Sequence, residues 1–489
     1  MKRIITFLLA FVMLFSLVAC AKGSNDNDLI DEDHGIELIE NKIWDKKDFD
    51  FDGYVFNILT KPAGGTVDQW DGSDIDCEEM TGNEVLDEVY KRNELIETLY
   101  NCKIEIVEVT DNSSSVKTAL LGGNDDDGAL LSDHILNHYY YIQDGLLMDL
   151  RDPSLSHLDL EKPWYSQTIQ RDTAIANKLF FVNGDMLFTD ENALWVTYFN
   201  KELARRYLEG LDLYEQVKNG EWTIDAFTKY AAMATREIVA DDKMDWQDQW
   251  GYVGEGPNVA AMVVAAGYRY IEVTPDGGLK ANVFDDDFQD IFRLCYKTVD
   301  KSFCLLASDI TGVADIWETM PAVFNEDRAL FHVGSMSDTF KRRDIDVDFG
   351  LLPLPKASVE QTEYYTWTTF NCRAIAIPYT CSNPERTSAI VEALFEESSY
   401  TLRDAYTERA LKYKSTRDDE SIEMLEIVFS NVVYDVGVIF YNFTGIFNSL
   451  NALVKGRNIG ALSSTVKKLE TPTATDIKNL LDKLGYTGA

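Results

Sequence analysis

Between residues 54 and 109 a strand-like run, a long amphipathic helix and a second strand-like run follow one another, and no other stretch constrains the fold as much. "YVFNIL" (54–59) is apolar, as a buried strand is. In "TGNEVLDEVYKRNELIETLYN" (81–101), Val85, Val89, Ile96 and Tyr100 fall along one helical face, and Thr81 with Glu84 reads as a capping box. "KIEIVEV" (103–109) alternates apolar and charged residues as a half-buried strand does. Strand, helix and strand at this spacing form a βαβ unit. The expectation is therefore an α/β protein whose mostly parallel sheets are flanked by helices.

The alternation runs on. A short helix around residues 116–121 stops at Gly122-Gly123, and "DHILNHYYY" (133–141) reads as a further apolar strand. "LFFVNGD" (179–185) and "ALWVTYFN" (193–200) read as strands on either side of "MLFTDEN". Thr223 caps the helix "IDAFTKYAAMATREI". "FGLLPLP" (349–355) and "TFNCRAIAIP" (369–378) are strand-like, and Ser382-Asn383-Pro384 opens a helix with proline in its first position.

Composition removes several functions. Hydrophobic residues at 45% and aromatics at 12% suit large packed cores. A formal charge of -38 argues against a nucleic-acid partner, whose phosphates need a basic footprint. It also weighs against an anionic ligand unless a local basic pocket overrides the global field. His134 and His138, read on a strand, stand about 13 Å apart, too far to share a metal. No acidic run matches a calcium loop, and no nucleophile or phosphate-loop motif is present, so neither a metal nor a cofactor is expected. Cys77, Cys102, Cys295, Cys304, Cys372 and Cys381 form no CxxC pair and are expected to be mostly free, buried thiols.

Lys2 and Arg3 precede an apolar run (4–19) broken only by Thr6 and Ser16, which is the pattern of a secretory signal. "LVAC" (17–20) resembles the bacterial lipobox, in which the cysteine is acylated and the signal cut away. That resemblance implies a signal peptide at 1–19 and a lipid-anchored polar tether at 20–44. Cys20 would then hold the chain to the outer face of the cell membrane, since each buried methylene contributes about 0.8 kcal/mol.

Four longer segments carry a second resemblance. These are "MTGNEVLDEVYKRNELIETLYNCKIEI", "YFNKELARRYLEGLDLYEQVKNGEWTIDAFTKYA", "MPAVFNEDRALFHVGSM" running on to "VDFGLLPLPK", and "IAIPYTCSNPERTSAIVEAL". In order and spacing they resemble the extracellular solute-binding proteins of bacterial ABC importers, in particular the carbohydrate-binding branch. The resemblance spans about residues 54–393 and is loose beyond 396. It implies a periplasmic-binding-protein-like fold of two lobes joined by hinge crossovers. Lobe one would take residues 45–188 and 353–395, and lobe two 189–352 and 396–489. It also implies an ABC permease as partner and no catalysed reaction.

Ligands of open α/β sheets bind beyond the carboxyl ends of strands, so the loops after the strands hold the candidates. Trp70 and Asp71 follow the first strand, and Asn137 lies in "NHYYY". Asp190, Glu191 and Trp195 lie at the first crossover, Glu255 and Asn258 in "EGPN", and Ser335 in "GSMS". Trp367 sits in the second crossover, and Asp435 and Tyr441 in "YDVGVIFYNF". Trp70, Trp195, Trp367 and Tyr441 are candidate platforms for the C–H faces of a sugar. Asp71, Asp190, Glu191 and Asn258 are candidate partners for its hydroxyls. The reading is a lipid-anchored protein that captures a sugar or oligosaccharide for import. Its rivals are a polyamine binder, which would also use carboxylates and aromatic cages, and a secreted carbohydrate-active enzyme.

Overall fold

The computed structural model describes residues 29–31, 36–38, 49–67, 70–109, 113–122, 128–408, 411 and 418–488. The expected signal segment and Cys20 lie outside the described residues. Within the stretch read as a tether, β1 (Leu29–Asp31) pairs antiparallel with β2 (Ile36–Leu38). The remaining chain forms its own compact unit.

Its strands, in chain order, begin with β3 (Tyr54–Thr60), β4 (Cys102–Glu108), β5 (Leu130–His134), β6 (Trp195–Asn200) and β7 (Trp250–Gly254). Then come β8 (Ile271–Val273), β9 (Leu279–Ala281), β10 (Cys304–Leu306), β11 (Ala329–Ser335) and β12 (Phe349–Leu352). The last are β13 (Thr366–Trp367), β14 (Arg373–Ala376) and β15 (Val432–Val433). One sheet has the order β14-β5-β3-β4, and a second has β10-β7-β11-β6-β12.

In the first sheet β3 runs parallel to β4, with Tyr54 opposite Cys102, and parallel to β5. The helix Glu84–Tyr100 makes the crossover, packing on β4 and on the helix Pro384–Tyr400. β14 closes this sheet antiparallel to β5, after the chain has built the second sheet and returned. In the second sheet β10, β7 and β11 are parallel, whereas β6 runs against both β11 and β12. Helices Ile224–Ala234 and Ile316–Asn325 cover β7 and β11, and Asp419–Ser430 packs on β12.

The two passages between the sheets run close together, with a later segment beside them. β13 pairs in parallel with β15, and Leu194 bridges to Thr368. The amide of Thr369 donates to the Ala193 carbonyl at 3.1 Å.

Several elements depart from the sequence reading. Asn83, not Thr81, caps the first helix, accepting from the Val85 amide, while the Thr81 amide and hydroxyl donate to Asp87. Residues 133–141 are not one strand: β5 ends at His134 and the helix Ile135–Asp144 begins at once. Four residues on, His138 donates through Nδ1 to the His134 carbonyl, as helical spacing allows. "LFFVNGD" forms single bridges, Val182 to Ile375 and Gly184 to Tyr165, in place of a strand. The six cysteines are free, and Cys102, Cys295, Cys304 and Cys372 are buried.

Two buried arginines tie the first sheet to its loops. Arg92 donates to the carbonyls of Asp74, Ile75 and Met186, and burial lowers its pKa to about 10. Arg373 of β14 reaches the Ser132 carbonyl and the Thr60 hydroxyl, locking the ends of β5 and β3 beneath the loop that carries Trp70.

Candidate functional site

Strand ends from both sheets converge on one cleft of about 400 Å³. The second sheet contributes Trp195 at the start of β6, Glu255 and Pro257 just past β7, and Gly334 and Ser335 at the end of β11. The helix Ile316–Asn325 adds Trp317, Met320 and Asn325, and the turn after β11 adds Asp338, Lys341 and Arg342. From the first sheet come Trp70, in the loop after β3, and Thr369, Phe370 and Asn371 leading into β14. The opposed walls thus mix rings with amides, carboxyls and cations.

The polar groups are organised. Arg342 is buried between Tyr198 and Phe324, 4.4 and 5.0 Å from the ring centroids, and its Nε donates to Asn325 Oδ1 at 2.9 Å. Asp338 lies 3.3 Å from His332 Nε2 and 3.7 Å from Arg342. Burial disfavours its charge, but Arg342 and His332 outweigh burial and hold the carboxyl well below the usual range. His332 is pushed down to about 4 by burial and by Arg342, so it is neutral at pH 7 and donates to Asp338. A Cβ at Gly334 would sit 2.6 Å from His332 and 2.7 Å from Asp338, so glycine is required for that pair to form. Glu255 is raised to about 7, chiefly by burial and then by Asp338, with Lys455 opposing.

No protein-family model matches the sequence, and no curated protein matches it. Solved structures do match across most of its length. The maltose/maltodextrin-binding domain of Bdellovibrio bacteriovorus bound to maltotriose is 14% identical, with 87% of this chain and 100% of that one covered and a TM-score of 0.52. An ABC substrate-binding protein of Listeria monocytogenes in complex with cycloalternan is 12% identical, with 89% and 100% covered and a TM-score of 0.54. An ABC transporter solute-binding protein of Thermotoga lettingae bound with α-D-tagatose is 14% identical, with 88% and 100% covered and a TM-score of 0.52. The chain has the two-lobed periplasmic-binding-protein-like fold. The first lobe is built on the sheet holding β3 and the second on the sheet holding β6, with the cleft between them.

Of the residues expected at a site, the interlobe cleft brings together Trp70, Trp195, Glu255 and Ser335. The others lie elsewhere. Asp190 and Glu191 line a separate cavity of about 300 Å³ behind the crossovers, with Asp185, Arg403 and Tyr434. Burial and then the Glu191 charge raise Asp190, while burial and then Asp185 raise Glu191 to about 7, with a hydrogen bond to Asp190 opposing. Trp367 is fully buried and meets Trp195 edge to face, centroids 4.7 Å apart, so it backs the wall and does not form it. Tyr441 packs behind Phe370 at 4.8 Å.

Four polar candidates make hydrogen bonds within the protein. The Asn258 amide donates to the Tyr252 hydroxyl and the Val333 carbonyl, and the Asn137 amide donates to Asp133. Asp71 accepts from the Ser73 amide and hydroxyl. Asp435 caps Val436–Ile439 and accepts from the Ile271 amide, and burial raises it to about 6.

Sequence reasoning missed Trp317, Phe370, Asn371, Asn325, Asp338, Lys341 and Arg342. Trp317 carried no such signal: it shares a helical stripe with Met320 and Phe324, at i+3 and i+7, and only the structure shows its ring 64% exposed. A large exposed ring beside a cleft is seldom a packing residue.

Proposed function

We propose that this chain is a substrate-binding protein that captures a sugar or oligosaccharide outside the cell and delivers it to an ABC permease, catalysing no reaction. The observation that carries the reading is the interlobe cleft, where Trp70, Trp195, Trp317 and Phe370 face the same space as Asn325, Asn371, Ser335 and Glu255. A pyranose needs both: rings cover its C–H faces, and amides and carboxyls bond its hydroxyls. The proteins of like fold whose ligands are carbohydrates support it. Delivery follows from closure of the lobes about the crossovers, since the permease recognises the closed geometry.

A polyamine is the weaker ligand because Lys341 and Arg342 stand on the same wall as the carboxyls. A glycosidase needs two carboxyls on either side of a scissile bond, whereas the two in the cleft, Glu255 and Asp338, both come from the second sheet, and Asp338 is paired with His332 and Arg342.

Titration calorimetry and thermal shift with a panel of neutral and acidic oligosaccharides test the reading, because a ligand that binds only the native state raises the midpoint. Trp317→Ala should leave the melting temperature near that of the wild type and weaken binding by about tenfold, ~1.4 kcal/mol. Unchanged affinity in this variant would remove the ring from the site.

The lipid anchor at Cys20 belongs to the same proposal. Cys20→Ala should abolish incorporation of labelled fatty acid and release the protein from the membrane fraction or leave its signal uncut. Labelling that persists in the variant would refute the anchor.

A further inference from the structure

We propose that Asn192 is the positioning residue for the first-lobe side of the cleft: it holds the loop that presents Trp70, and Tyr406 carries that hold across to the second-lobe wall. The proposal rests on the sugar-binding reading above only for what Trp70 touches when a ligand is bound.

Trp70 is only partly buried, so its backbone sets the ring more than packing does. Three anchors fix that backbone. His134, at the end of β5, donates from Nε2 to the Trp70 carbonyl at 2.9 Å. Asn192 donates from Nδ2 to the Val67 carbonyl at 2.7 Å, and the Thr189 hydroxyl and amide donate to Asp74. Thr189 and Asn192 belong to one helical turn, Thr189–Asn192, on the passage from the first sheet to the second. Residues three apart share a helical face, so this pair meets the Trp70 loop while Asp190 and Glu191 line the cavity behind. Trp70 thus lies between two anchors, at 67 and 74, and both come from the passage about which the lobes close in the reading above.

The chemistry at 192 calls for an amide. Both of its ends are engaged, Nδ2 with Val67 and Oδ1 with the Tyr406 hydroxyl at 2.7 Å. A carbonyl only accepts, so a carboxylate at 192 would set acceptor against acceptor. Asn192 and Tyr406 have no exposed surface, so bulk water is not at hand to replace either bond. Tyr406 is held in turn. Its ring stacks on Phe188 of the passage, at 8° and 5.7 Å, and meets Phe340 at 5.6 Å. Phe340 lies on the short helix Ser337–Lys341, which gives the cleft Asp338 and Lys341. Packed contacts therefore run from the second-lobe wall through Tyr406 and Asn192 to the Trp70 loop, and a shift of one wall is passed to the other.

The test is fluorine NMR on the purified protein labelled with 5-fluorotryptophan, with the Trp70 and Trp222 lines assigned by Trp70→Phe and Trp222→Phe. Trp222, fully buried against Phe331 of the second sheet, is the control. Tyr406→Phe removes only the hydroxyl. It should melt near the wild-type temperature, yet move or broaden the Trp70 line by more than its own width and leave the Trp222 line in place. Asn192→Asp should move the Trp70 line further; if that variant does not fold, Tyr406→Phe decides alone. A Trp70 line unmoved in Tyr406→Phe overturns the proposal, and so does equal movement of both lines, which marks a role in the fold at large. In calorimetry with the tightest binder of the oligosaccharide panel, Tyr406→Phe should weaken binding about threefold or more. In a Trp70→Ala background the same change should alter affinity by less than about 1.5-fold, because the residue acts through that ring. Equal losses in the two backgrounds refute it. A panel in which nothing binds removes the sugar-binding reading and leaves the fluorine result to decide this one.

Discussion

Trp195 and Trp367 touch, yet their positions assign them different tasks. Trp195 lines the cleft, while Trp367, with no exposed surface, supports it from behind at an interplanar angle of 69°. Removing the supporting ring leaves a cavity beside the crossover strands. Trp367→Ala should therefore cost about 3–5 kcal/mol of stability, read as a large fall in melting temperature, with binding lost as a consequence. Trp317→Ala should do the reverse, because most of that ring already faces solvent. Melting temperature and affinity measured on both variants separate the two roles, and a Trp367→Ala protein of wild-type stability would contradict the placement.

At the scale of elements, the ends of helices are where single residues tell most. Asn383 accepts from the Arg386 amide at 3.1 Å, and Pro384 takes the first helical position of Pro384–Tyr400. Asn383→Ala should cost about 1 kcal/mol, checked by chemical denaturation, and a neutral substitution would mean that the cap is replaced by water. This cap, Thr223 and the strands β3, β4, β6, β12 and β14 were legible in the sequence because each rests on local pattern. Residues 133–141 were not. β5 passes directly into a helix with no glycine or proline between them, and both elements are apolar, so periodicity is too short to divide them. The site follows the same division. Trp70, Glu255 and Ser335, named by the rule that ligands bind in loops after strands, do line the cleft, whereas Trp317 lines it from a helix outside that rule. Asn258, Asn137 and Asp435 lie outside that lining for a different reason. A buried polar residue that serves the backbone has the same letter as one that serves a ligand, and only the partner's position tells them apart.

For the whole molecule, buried carboxyls set the response to pH. Asp185, Glu392 and Asp435 are raised to about 6 and Glu191 and Glu255 to about 7, in each case chiefly by burial, and Asp74 and Asp190 move the same way. Each takes up its proton more readily folded than unfolded. The stability it contributes is complete below the ordinary carboxyl pKa of about 4 and is lost as pH rises through 6 to 7. His138 and His332, lowered to about 4 by burial, and His134, also lowered, pull the other way below about 6.5, but they are fewer. The melting temperature should accordingly be a few degrees higher at pH 6 than at pH 8. A flat or opposite profile from calorimetry would show that these carboxyls are solvated.

The interleaving of the two lobes bears on how such a chain is made. Arg373 of β14 pairs with His134 of β5, and about half of all residues lie between them, including the whole second sheet. The first sheet cannot be completed while the ribosome is still producing that interval, which at 5–20 residues per second takes on the order of tens of seconds. Throughout that time the emerging polypeptide lacks a finished core on its amino-terminal side and remains threadable. For a secreted chain, late completion of the first lobe keeps open the interval in which a translocation channel can accept it.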